Sequence, residues 1–265
     1  MLILLPPSEG KTAPRSGRPL NLDTINLGEL NPARERVLET LVELCAGDDR
    51  ERARAVLGLS PGQDDEISRN AGLRTAPAQP AAKIYTGVLY DALDIGSLAG
   101  AARSRIRRSA LIFSGLWGAV RVDDRIPAYR CSIGVNLPGL GGLATYWREP
   151  LEPVVTEAAD GAPILDLRSG AYAAMWRPTG RTAERTVAVR VLHEQMVGGV
   201  ARRSVVSHFN KATKGRLVRD LLLAGAMPRS TAKLVEALRD LKYTVEEQPP
   251  APGRPRQLDV VVTEL

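Results

Sequence analysis

Lys211 and Lys214 lie in a segment, residues 207–219, that reads as a helix whose cations point inward. At about 100° per residue they share one face with Gly215, Val218 and Leu222, a face expected to meet the core. Both are near the helix start, where the macrodipole disfavours cations unless an anion sits between them and the free backbone N–H groups. The pattern reads as half of an anion site, to which Arg219 adds a third cation.

The other groups able to do chemistry lie far away in the chain. Residues 8–12, Ser-Glu-Gly-Lys-Thr, offer the Ser8 hydroxyl, the Glu9 carboxylate and the Lys11 ammonium in one turn. A phosphate-binding Walker loop would need glycine at position 5, which is Leu5, so that motif is not expected. The turn reads either as an anion contact or as a solvated loop with Lys11 in water. Residues 114–130, SGLWGAVRVDDRIPAYR, place Ser114 and Trp117 in a glycine-bounded turn before Arg121, Tyr129 and Arg130. Arginine beside tyrosine can hold an anion or stack on a base; alternatively Asp124 pairs Arg121 or Arg125 in a structural network. Asp166, Ser169 and Tyr172 follow a strand at its C-terminal end, where sites often form. Glu9 and Asp166 are the candidate acid–base residues, and Ser8, Tyr85, Ser114, Trp117, Ser169 and Tyr172 the candidate lining of a cleft.

Other chemistries fit poorly. His193 and His208 are the only histidines and stand at no ligand spacing with Cys45 or Cys131, so no metal site and no cofactor is expected. His208 reads as a satisfied cleft or core residue before a general base. No Gly-x-Ser-x-Gly nucleophile elbow occurs. Two cysteines cannot build a disulfide framework, which points to a reducing compartment.

Positioning such scattered groups requires a folded scaffold. Residues 2–5 read as a short buried strand stopped by Pro6 and Pro7, and further strands are expected at 110–113, 164–167, 187–192 and 204–206. Asn31 reads as an N-cap with Pro32 at the first helical position, after which Val37, Leu38, Leu41, Val42, Leu44 and Cys45 recur at helical spacing. Residues 51–73 suggest two short helices, 74–82 a surface loop, and 85–93 the start of another helical region. Ser230 is placed to cap a helix over 231–242, with 243–247 pairing 258–263 across a loop at 248–256. Strands and helices interleave throughout, predicting an α/β (mixed α+β) single compact domain over residues 1–265.

The 36 basic residues exceed the 30 acidic ones, a net charge of +6 that favours nucleic acid or other anionic partners. Thirty of those cations are arginine, so base composition of the genome is an equally good account of the excess. Of the six lysines, three fall in the two anion-like segments. The start lacks a basic leader and no apolar run approaches a membrane span, so a cytoplasmic protein without membrane contact, acting as a monomer, is expected.

Taken in order, PPSEGKT, YTGVLYDAL, SGLWGAVRVDDRIPAYRCSIG, DLRSGAYAAMW and VSHFNKATKGRLVR resemble the YaaA family of peroxide stress response proteins, over residues 1 to about 223. The resemblance implies a mixed sheet flanked by helices of the cantaloupe type. It also implies a basic cleft, a helix-hairpin-helix element, affinity for DNA and protection of DNA by limiting free iron. Lys11, Ser114, Arg121, Tyr129, Arg130, Lys211 and Arg219 match family positions. Trp117, His208 and Asn210 replace the family's residues, and 55–73 is the candidate helix-hairpin-helix.

Two readings stay open. In the first, Lys11, Arg121, Tyr129, Arg130, Lys211, Lys214 and Arg219 line a basic cleft that holds DNA phosphates. In the second, the same cleft is the active site for a small phosphorylated or nucleobase-containing substrate, with Lys11 and Lys214 as anion clamps.

Overall fold

The computed structural model describes residues 1–249 and 251–263. Strand β1 (Leu2–Leu5) is buried along its whole length, as a run of four apolar residues requires of a parallel strand covered on both faces. It lies between β2 (Ala110–Ser114) and β4 (Ile164–Asp166), parallel to both. Beyond β2, β3 (Gly118–Val120) returns antiparallel. On the other side β4 pairs in parallel with β5 (Thr186–Val197), and β5 pairs in parallel with β8 (Arg256–Val262) and antiparallel with β6 (Val200–Ser204). β7 (Thr244–Glu247) closes that edge against β8. The result is one mostly parallel, mixed sheet of eight strands in the order β7-β8-β5-β4-β1-β2-β3, with β6 attached to β5.

That order dictates where a site can form. From β1 the chain departs toward β2, and from β4 it departs the opposite way toward β5. The loops leaving the C-terminal ends of β1 and β4 therefore diverge, opening the kind of crevice in which open α/β sheets bind ligands.

The sheet is flanked by helices, the longer ones being α1 (Asn31–Ala46), α2 (Arg50–Leu57), α3 (Asp64–Ala71), α4 (Val88–Leu93), α5 (Gly100–Ser109), α6 (Arg148–Ala159), α7 (Ser207–Leu223) and α8 (Thr231–Asp240). In α1 the expected stripe of Val37, Leu38, Leu41 and Cys45 is buried. Ser230 caps α8, its hydroxyl accepting from the Lys233 N–H. In α7, Leu217, Val218, Leu221 and Leu222 are fully buried, each stabilising by about 1.5–3 kcal/mol and together offsetting the burial of a lysine on the same helix. α7 packs on α4 and β5. Gly215 makes the close approach to α4 possible, since a Cβ there would lie 2.2 Å from the Leu89 carbonyl oxygen.

Three local expectations are corrected. Asn31 is the first residue of α1, not its cap. Its side chain instead donates to Leu22 O and accepts from Arg34, a fully buried arginine that also donates to the carbonyls of Asn26, Trp117 and Ala119. The stretch 74–82 is not simply a surface loop. Ala78 and Ala81 are buried, because the N–H groups of Ala81 and Ala82 bond to Asp124 O and Val122 O. The strand expected at 204–206 lies earlier, at Val200–Ser204, because Gly198 and Gly199 adopt positive φ and turn the chain back at that point. Pro250, in the loop expected at 248–256, lies outside the described residues.

Candidate functional site

At the divergence of β1 and β4 lies a cavity of about 470 Å³. Pro6 to Gly10, after β1, form one wall, and Leu167, Ser169 and Tyr172, after β4, form another. Thr86 to Tyr90 at the start of α4 and Asn210, Lys211 and Lys214 on α7 complete it. The mixture of apolar contact area with a few hydroxyl and ammonium groups is characteristic of a small-ligand site.

The loop after β1 is tied down from below. Lys11 donates to Ser8 O at 2.8 Å, and its ammonium sits 4.3 Å above the Tyr129 ring centroid. The Ser8 hydroxyl donates to Gly10 O and accepts from the Thr86 N–H, joining this loop to the start of α4. The Tyr90 hydroxyl donates to Pro6 O at 2.7 Å. Burial lowers the Lys11 pKa to about 8, against a partial opposing effect of Glu9. Glu9, exposed at the rim, pairs with Arg130 at 3.0 Å.

Lys214 is 7% exposed and donates to Leu167 O at 3.0 Å, linking α7 to the segment after β4. Its pKa is also lowered to about 8 by burial, with Asp166 acting weakly in the other direction. Lys211, one turn nearer the start of α7, is exposed at the mouth. Asn210 projects a buried Oδ1 with no hydrogen-bond partner among the described residues. The two lysines of the helix pattern thus line the same cavity, Lys214 buried and Lys211 exposed.

The remaining candidate residues divide into three groups. Ser114, Tyr129 and Tyr85 are buried behind the cavity in one chain of hydroxyls, with Ser114 Oγ 2.6 Å from Tyr129 Oη and Tyr129 Oη 2.8 Å from Tyr85 Oη. Ser114 Oγ also accepts from the N–H groups of Leu116 and Trp117, which fixes the glycine-bounded turn. Trp117 does not line the cleft. It is fully buried and meets the Tyr129 ring edge-on, because the turn directs its indole into the core.

Asp166 is buried, with both carboxylate oxygens accepting from the Arg168 guanidinium at 2.9 and 2.6 Å. That bidentate pair leaves it a positioning group for the loop after β4 rather than a base open to the cavity. Arg121 and Arg219 stand apart. Arg121 donates to Arg108 O and lines a separate shallow concavity with Arg107 and Arg108. Arg219 donates to the carbonyls of Leu93 and Asp94 and to Ser97 Oγ, capping the end of α4. Asp124 accepts from the backbone N–H groups of Arg121 and Asn26 rather than pairing a guanidinium as weighed from the sequence, since Arg121 and Arg125 donate instead to the carbonyls of Arg108 and Ala78.

Sequence reasoning missed Thr86, Leu89, Tyr90 and Asn210 as cavity residues. The Tyr-Thr-Gly-Val-Leu-Tyr stretch carried the one available signal, a polar turn opening a short helix. Among the described residues, no group of three or more His, Cys, Asp or Glu side chains is arranged to hold a metal ion, and no helix is long and apolar enough to cross a membrane.

The family described as Peroxide stress protein YaaA matches residues 1–249. The chain is 59% identical to UPF0246 protein SCO2297 of Streptomyces coelicolor, covering all of both chains. It is 39% identical to UPF0246 protein CE1889 of Corynebacterium efficiens, covering 99% of this chain and all of that one. A more distant relative, Uncharacterized protein Cj0984 of Campylobacter jejuni, is 29% identical over 82% of this chain and 83% of its own.

Proposed function

Because this chain belongs to the peroxide stress protein YaaA family, we propose that it serves the peroxide stress response by binding DNA, with its lysine-lined cavity receiving one nucleotide of the bound strand. The observation that carries this reading is the pair Lys211 and Lys214, from one helix face, at a cavity of about 470 Å³ on the switch point of the sheet. That volume falls within the roughly 300–1,000 Å³ of small-ligand sites. The net charge of +6 supports a polyanionic partner. Arg130 at the rim and the surface arginines Arg107, Arg108 and Arg121 are the further phosphate contacts offered, and the α2–α3 hairpin is the second surface presented to a duplex. Tyr172 and Tyr90 supply the aromatic walls for a base. In this reading free iron is limited indirectly, not by chelation to this chain.

The test is titration of the protein with duplex, mismatched and single-stranded DNA and with a mononucleotide at two salt concentrations. Affinity for duplex DNA falls with salt at a slope of about −0.9 per phosphate neutralised. Lys211→Ala with Lys214→Ala weakens binding across sequences and flattens that slope. Unchanged binding by the double variant refutes the assignment. The burial of Lys214 favours a second reading, an enzyme for a free phosphorylated substrate. Tight, lysine-dependent mononucleotide binding without DNA binding selects it.

A further inference from the structure

Lys214 differs from an ordinary phosphate contact in its surroundings. Its amine lies at the base of the cavity, and the hydrogen bond it makes is to the Leu167 carbonyl, a neutral acceptor. The nearest candidate counter-ion, Asp166, has both oxygens engaged by Arg168. A lysine whose task is to hold charge gains from a carboxylate partner, and this one has none at hydrogen-bond distance among the described residues. Lys211, exposed at the mouth, is better placed to attract a phosphate, which leaves the deeper amine free for another task. Desolvation favours the neutral amine, the nucleophilic form, and a desolvated lysine in a partly apolar cavity is the setting in which Schiff bases with carbonyl compounds form.

We propose that Lys214 forms a Schiff base with the aldehyde of a phosphorylated sugar, the phosphate being met by Lys211 at the cavity mouth. This rests on the preceding reading of the cavity as the ligand site and specifies the chemistry of what enters it. The Nζ lone pair attacks the carbonyl carbon, the carbonyl π electrons move to oxygen, and that oxygen takes a proton while nitrogen loses one, giving a carbinolamine. The nitrogen lone pair then expels the hydroxyl, which takes a proton and leaves as water, so that a protonated C=N bond remains. No oxidant or reductant takes part. The proton transfers need a weak acid at hand. Tyr172 lines the cavity wall and burial keeps its hydroxyl protonated, so solvent entering the cavity supplies the proton. Ser169, whose side chain makes no capping bond to α-helical backbone, is a second hydroxyl on that wall.

A phosphorylated aldehyde sugar has two sources, a free sugar phosphate and a baseless position in DNA, whose deoxyribose opens to an aldehyde between two phosphates. The experiment incubates the full chain with deoxyribose 5-phosphate and, separately, with a duplex oligonucleotide carrying one abasic position. Each mixture is treated with sodium borohydride, which reduces a C=N bond to a stable amine, and the adduct is located by digestion and mass spectrometry. The expected result is one adduct per chain, on the Lys214 peptide. Its yield rises with pH around an inflection near 8, where a solvated lysine would titrate near about 10.4. Lys214→Arg lowers the yield by at least about tenfold, since guanidinium is not a nucleophile at these pH values, while Lys211→Ala raises the probe concentration needed.

Trapping with the oligonucleotide alone assigns the chemistry to damaged DNA, and trapping with both assigns it to the sugar phosphate itself. Absence of an adduct with either probe, or adducts spread over the exposed lysines without preference for Lys214, overturns the proposal. Because the peptide map is made on the unaltered chain, a variant that fails to fold does not blunt the test. DNA or nucleotide binding that persists without any adduct refutes the Schiff base and leaves the binding role standing.

Discussion

Replacing Gly215 by alanine tests whether the approach of α7 to α4 is what builds the cavity. Alanine is the better helix former, and the exchange alone would stabilise α7 by about 1 kcal/mol. The tertiary contact opposes it. The added Cβ would lie 2.2 Å from Leu89 O, 2.9 Å from Ala92 Cβ and 3.0 Å from Leu93 N, where ordinary contact begins at 3.4 Å. Two of those three atoms are backbone of α4, so no rotamer change relieves the clash and the helices must separate by about 1 Å. α4 resists, because Leu93 is fully buried and Tyr90 is bonded to Pro6 O. The cost therefore sits at the upper end of overpacking, about 3 kcal/mol. The net destabilisation is about 2 kcal/mol, or a fall of about 4–8 °C in Tm. Thermal and urea unfolding measure it, and nucleotide affinity should fall in parallel because Leu89 and Lys214 both line the cavity. An unchanged or raised Tm would show that helix propensity governs this position, and the packing argument would fail.

Three further outcomes are expected. Lys11 and Lys214, each with a folded pKa of about 8, bind fewer protons in the folded than in the unfolded chain between about pH 8 and the unfolded value near 10.4. Their contribution to stability therefore rises with pH across that window, until the buried tyrosines Tyr85 and Tyr129, whose pKa values are raised, begin to oppose it near about pH 10. Phosphate affinity moves the other way, falling as pH passes about 8. Denaturant midpoints and phosphate titrations from pH 7 to 9.5 check both signs, and a shallower stability profile for Lys214→Met, with Lys11 still contributing, assigns its share. Arg34→Met should cost at least about 3 kcal/mol in urea unfolding, because the buried carbonyls of Trp117 and Ala119 lose a charged donor and no water replaces it. A loss below about 1 kcal/mol would remove Arg34 as the staple of this region.

Much of the frame was legible because it follows from local rules. Residues 2–5 read as a buried strand since four consecutive apolar residues stopped by two prolines form a short apolar run bounded by a turn signal. The 207–219 helix and the burial of Lys214 on its core face followed from periodicity alone, whereas Lys211, expected on that face, is exposed. Arg34 was not legible. It stands on α1 among ordinary charged residues, and its burial arises from carbonyls more than 80 positions away that no local pattern announces. Trp117 misled for the related reason that an aromatic residue in a glycine turn serves equally well as a cleft wall or as core.

By itself the sequence determined which residues carry charge, hydroxyl and carboxylate, the periodicity that buries one helix face, and the family to which the chain belongs. Only the tertiary structure decided which of those groups meet. It brought Ser8, Ser169, Lys211 and Lys214 to one cavity, occupied Asp166 with Arg168, and placed Arg121 and Arg219 elsewhere. The physical reason is strand order. Whether loops after two strands converge or diverge depends on which strands lie side by side, and that is set by packing across the whole sheet, not by the residues of either loop.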